Sequence, residues 1–219
     1  MKTQRPHPLT TPRAAALAGV LFGLLFGTAL ILIRTALPEG AEEGAQWMDA
    51  GSHRLKVAAI LMPFAGIAFL WFIGVVRDGF GRLEDKFFSS VFIGAGLLFL
   101  AMVFVSSAIG AGLAASGRDA VDMSAHTEVA TFGQMVLITL TKTYALRMGA
   151  VFMISLATIW LKTGLMPRWL VIVTYVLAVG ILLASDISMW MTLAFPVWVL
   201  VVSVLLLVRA GVIDLDRDD

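Results

Sequence analysis

Inside a long apolar segment the sequence reads TKTYALRMG, from Thr141 to Gly149. Lys142 and Arg147 carry charge into a region otherwise suited to hydrocarbon, and Tyr144 stands between them. Insertion scales put an ionised side chain at a span centre at about 2.5–3.5 kcal/mol, so such residues mark ligand sites, pathways or paired charges. The planar guanidinium of arginine matches carboxylate or phosphate bidentately. Depth then decides which residues can work together. Trp160 and Lys162 anchor the cytoplasmic end of this segment. Counting back about 20 residues puts Lys142 at the outer boundary, where its stem can snorkel to water. Arg147 lies about 7–8 Å deeper. Arg34 ends the first apolar segment at the same level, and Asp186 lies in the turn between the last two. The predicted site is therefore Arg34, Lys142, Tyr144, Arg147 and Asp186. It has two readings: a place for a small anion or an anionic lipid, or an Arg147–Asp186 pair that fixes helix register. Gln134, Thr141, Tyr144, Ser155 and Thr158 fall near one helical stripe, which is predicted to face the bundle interior.

The other candidate chemistry is weaker. DAGSH, Asp49 to His53, and DMSAH, Asp122 to His126, share the pattern Asp-x-x-x-His. On helices these pairs would offer Asp49, His53, Asp122 and His126 as an N2O2 set for a divalent metal. Solvated loop polarity is the favoured reading of both. Walker A, GxSxG and HExxH patterns are absent, and no motif calls for a cofactor. Cysteine is absent as well, which removes thiolate catalysis, disulfides and Cys-ligated metal.

These residues must be positioned by membrane helices. Hydrophobic residues make up 59% of the chain and charged ones 14%, against about 45–50% and about 25% in soluble domains. The net charge of +1, without a basic cluster, gives no case for nucleic acid. Six segments are long and apolar enough to span: about 14–37, 55–76, 87–114, a stretch within 131–161, 169–184 and 187–208. The fold class is thus all-α, a polytopic bundle of six transmembrane helices. A tail of residues 1–13 precedes the 14–208 domain, and an acidic tail of 209–219 follows it. Residues 131–161 would make about 46 Å of helix against a core of about 30 Å, so this span tilts or extends beyond the core. The first segment exceeds the 7–15 apolar residues of a secretory signal and is read as retained.

Short-loop charge sets the orientation. Lys2, Arg5, Arg13, Arg77, Arg82, Lys86, Lys162, Arg168, Arg209 and Arg217 fall on one side. Arg34, Arg54, Lys56 and Arg118, even joined by Lys142 and Arg147, leave the other side poorer. Both termini are predicted to be cytoplasmic, at a plasma membrane. Trp47, Trp71, Trp160, Trp169 and Trp190 are predicted to sit in interfacial belts, with Trp198 inside the bundle.

Gly19, Gly23 and Gly27 repeat every four residues along the first segment, the small-xxx-small spacing of close helix packing. The third segment is the predicted neighbour; a homo-oligomer or a partner membrane subunit is the alternative. Pro63 and Pro196 are predicted to kink their helices. LIRTALP and LKTGLMP, from Leu32 and Leu161, form a short internal likeness best read as chance.

The blocks RDGFGRLEDKFFSSVFIGAGLLF and TKTYALRMGAVFMISLATIWLKTGLMPRWL resemble parts of uncharacterised actinobacterial-type multi-span membrane proteins. The resemblance covers about the last two-thirds of the chain, implies a bacterial plasma membrane and carries no known activity. The functional expectation is a non-enzymatic protein that binds or moves a small anionic or lipidic molecule through the outer half of the bundle. An accessory or scaffold subunit using the glycine face is the runner-up. A membrane-embedded metal-dependent enzyme using the Asp/His pairs comes third.

Overall fold

The computed structural model describes residues 11–36, 46–78, 86–116, 123–184 and 189–209. Among them there are helices and no strands. In order they are α1 (Thr11–Ala36), α2 (Gln46–Asp78), α3 (Lys86–Ser116), α4 (Met123–Thr139), α5 (Leu146–Thr163), α6 (Arg168–Ala184) and α7 (Ala194–Arg209). A π turn, Leu140–Ala145, joins α4 to α5, and a 3₁₀ turn, Met189–Leu193, leads into α7. Five helical rods are long and apolar enough to cross a membrane: α1, α2, α3, the composite α4–α5 and α7 with part of its leading turn. The sixth, α6, is shorter. The chain is thus an all-α polytopic membrane protein.

The rods alternate in direction. The end of α1 meets the start of α2 through the Arg54 guanidinium, which donates to the Thr35 carbonyl at 2.8 Å. That carbonyl belongs to the last turn of α1, where backbone acceptors lack helical donors. Arg34 near the end of α1 reaches Thr192 just before α7. That bond places the end of α1 and the start of α7 at one pole, called the far end here. The start of α1 and the end of α7 lie at the other.

Five rods converge on one aromatic centre. Phe22 from α1, Phe69 from α2, Phe99 from α3, Phe152 from α5 and Phe195 from α7 meet with ring centroids 4.6–6.4 Å apart. All five are buried. Their tilted and edge-on geometries suit the ring quadrupole. Trp160 and Trp198 extend the cluster, 6.2 Å apart. Trp198 packs inside, but so does Trp160, at 3% exposure, contrary to the interfacial place expected for it. Trp71 and Trp169 are exposed. The side chains of Trp47 and Trp190 lie outside the described residues.

α6 stands beside this ring and is held from α5 and α7. The Tyr175 and Thr158 hydroxyls are 2.7 Å apart, and the Trp198 indole donates to Thr174 at 3.0 Å. The α5–α6 connection is tight because Gly164 takes φ 65° and sends its N–H to the Trp160 carbonyl, a left-handed helix cap. Pro196 falls in the first turn of α7. A missing N–H costs little there, so the kink expected within this helix has no basis. Pro63 does lie inside its helix, α2.

The glycine seam meets α7 and α2. A Cβ at Gly19 would collide with the Ser203 hydroxyl and the Phe72 ring, and one at Gly23 with Leu200. At Gly27 it would meet nothing within 4 Å. Helix α1 touches α3 through phenylalanines instead, Phe26 and Phe99 at 5.5 Å.

Replacing Phe69 by alanine tests the aromatic centre. Core Phe→Ala changes in water cost about 3–5 kcal/mol, part of it transfer from water. Lipid is as apolar as the core, so mainly the lost packing remains. The expected loss is roughly 1–3 kcal/mol, with the helix content of the folded state unchanged. Reversible unfolding in mixed micelles, followed by circular dichroism, measures it.

Candidate functional site

The long fourth span is continuous but not uniform. Its π turn covers LTKTYA, the heart of the stretch that carries the charges. The Leu146 N–H bonds to the Thr141 carbonyl, an i→i−5 step where a helix would use i−4. One extra residue in the ladder slips the face of everything before it relative to everything after. The polar stripe expected from an unbroken helix is therefore divided. Thr141 faces α3, where its hydroxyl lies 2.6 Å from that of Ser106. Both hydroxyls also reach the Leu137 carbonyl, at 2.9 Å and 3.3 Å. Thr158, beyond the π turn, turns to α6. Tyr144 is 56% exposed on the outer face, not in the interior.

The same turn directs Lys142 toward α1. Lys142 and Thr141 line a cavity of about 20 Å³ together with Arg34 and Thr192. Leu30, Ile33, Leu137 and Ile138 complete its walls. Arg34 is 8% exposed and donates to the Thr192 hydroxyl at 2.7 Å, a buried bond between α1 and the 3₁₀ turn. Thr192 is itself buried. Two cationic residues and two threonines thus converge from three separate elements at the far end. Each element is irregular or terminal there: the last turn of α1, the π turn and the 3₁₀ turn. On α1 the aromatic centre lies twelve residues below Arg34, roughly 18 Å away.

Of the residues predicted for the site, the structure brings Arg34 and Lys142 together. Arg147, half-buried in the first turn of α5, and Tyr144 do not line the cavity. Asp186 lies outside the described residues, and with it the Arg147–Asp186 pair. The sequence does not point to the hydroxyls of Thr192 and Ser106 as part of the site, since single hydroxyl residues in apolar runs carry no periodic signal.

The metal candidates do not assemble within what is described. His53 is exposed on α2. Asp122 lies outside the described residues, as do the side chains of Asp49 on α2 and His126 on α4. Among the described residues no group of three or more His, Asp or Glu forms. Gly19 and Gly23 are occupied by α7, which removes the glycine seam as support for an accessory subunit. Compared with known proteins, the chain matches no protein-family description, no curated protein and no solved structure.

The Ser106–Thr141 bond is the measurable tie between the π turn and α3. A double-mutant cycle with Ser106→Ala and Thr141→Val should return a coupling near 0.6 kcal/mol and no more than about 1.7, the range for hydroxyl pairs between membrane helices. Equilibrium unfolding of the four proteins in one micelle system provides the values.

Proposed function

We propose that this chain is a plasma-membrane protein, with both termini cytoplasmic, that binds an anionic group at the outward mouth formed by Arg34, Lys142, Thr141 and Thr192. What carries the reading is the convergence of two cationic residues, Arg34 and Lys142, on one cavity at the far end. Phosphate or carboxylate oxygens are the matching chemistry, since the guanidinium and ammonium donate charge-assisted bonds to them. The volume narrows the ligand. A space of about 20 Å³ admits one water-sized group, because a single water needs about 10–15 Å³. One oxygen of a larger anion fits while the rest of the molecule stays at the mouth. A phospholipid headgroup meets that condition, since its body remains in the bilayer.

Passage through the bundle is the less supported half of the original expectation. Below the mouth the axis is filled by Phe22, Phe69, Phe99, Phe152 and Phe195. The protein in this conformation is therefore read as a binder. The outward placement rests on the Lys/Arg imbalance between the short loops.

Two measurements test the reading. Native mass spectrometry of delipidated protein should show retention of phosphatidylglycerol over phosphatidylcholine, with inorganic phosphate as the free-anion arm. Lys142→Gln should weaken the anionic lipid about 10- to 100-fold, the value of one hydrogen bond to a charged group. Equal retention of both lipids, unchanged by Lys142→Gln and without phosphate binding, would falsify it. Orientation is tested separately, using the absence of native cysteine. Thr3→Cys and Asp218→Cys should resist a membrane-impermeant maleimide on intact cells and react after lysis.

A further inference from the structure

A second site lies on the lipid-facing side, between α2 and α3. A groove of about 220 Å³ is lined there by Ala59, Pro63, Phe104, Ser107, Ala108 and Ala111, among others. Phe104 lies across Gly66, where an added Cβ would strike its ring, and closes the deeper end. The alanines keep the wall smooth. The groove is apolar except at two points, and both are short of a hydrogen-bond partner.

The first is a backbone acceptor. Pro63 stands inside α2 and has no N–H to give, so the Ala59 carbonyl four residues earlier loses its helical donor. Within a bilayer such a group is costly until a neighbour, a bound molecule or a water satisfies it. The second is the Ser107 side chain. It lines the same groove, is half-buried and makes no hydrogen bond among the described residues. Serines in membrane helices commonly bond back to their own carbonyls, as Ser155 does here to Val151 at 2.9 Å. Ser107 does not. One acceptor and one hydroxyl therefore share an otherwise apolar groove. Depth fits as well. Ala59 stands three residues below Lys56, about 4.5 Å along the helix, close under the polar boundary.

We infer that this groove binds an apolar alcohol, a lipid-soluble molecule with one hydroxyl at its head and a hydrocarbon body. Its O–H donates to the Ala59 carbonyl and its oxygen accepts from Ser107. The body lies against Ala108 and the exposed Pro63 and Phe104 and runs out into lipid. A plain acyl chain would fill the volume but leave both polar groups unmet. A phosphate headgroup would have no cation within the groove lining.

The test uses the full chain in phosphatidylcholine nanodiscs, where no anionic lipid engages the Arg34–Lys142 mouth. A long-chain alcohol with a diazirine in its chain is the probe, and its methyl ether, which cannot donate, is the control. Photolabelled peptides are mapped by mass spectrometry. The alcohol should label the segments around Ala59–Pro63 and Phe104–Ala111 roughly 3- to 10-fold more than the ether, as one neutral hydrogen bond allows. Pro63→Ala restores the missing N–H and should erase that preference without harming the helix; Ser107→Ala should reduce it. Equal labelling by alcohol and ether, or a preference that survives Pro63→Ala, overturns the inference.

Discussion

Five phenylalanines hold this bundle in its shape. In a bilayer, helices gain nothing by leaving lipid for one another except better packing and a few polar bonds. Dispersion between close-fitting surfaces must then do what exclusion of water does elsewhere. Phe22, Phe69, Phe99, Phe152 and Phe195 supply that fit, one from each of five helices. Room for the rings comes from missing side chains. A Cβ at Gly149 would stand 3.1 Å from the Phe195 ring, and one at Gly96 would stand 3.2 Å from that of Phe152. The same centre closes the axis, so polar chemistry is confined to the ends and the sides of the molecule.

The architecture was legible in the sequence because bilayer thickness imposes a length on every span. Hydropathy alone located all six rods. It could not say which rods touch. The glycine seam of α1 suggested the third helix as neighbour, yet α7 fills it, because neighbour choice is set by where large rings on other helices find space. Trp160 followed the same logic. Its position near a span end suggested the interface, but Trp198 and the aromatic centre drew it inward. Pro196 was misjudged for a simpler reason: the chain starts α7 later than the apolar run starts, and proline at a helix start disturbs nothing.

The site was half legible. Arg34 and Lys142 announced themselves as charges at a common depth. Tyr144 was assigned to the interior on the assumption of an unbroken α-helix, and the π turn invalidates that assumption at its own position. A π turn has no compositional mark of its own, since its residues are ordinary helix residues. Thr192 was equally hidden, because its role depends on a 3₁₀ turn that brings it under Arg34. Irregular backbone in a membrane protein needs protein around it to satisfy its polar groups. Here the irregular pieces cluster at one end, and the hydroxyls of Ser106 and Thr141, both directed at the Leu137 carbonyl, take part in that satisfaction.

The π turn also bears on how such a chain can change. A helix gains a π turn when a single residue is added to its ladder without the flanking helices losing their seats. One codon is then enough to re-aim half of a span while the other half keeps its packing. In this protein that half carries Lys142 toward α1 and Thr141 toward α3, so the far end can acquire or lose its cation without any change in topology. The membrane sees the same six rods in either case.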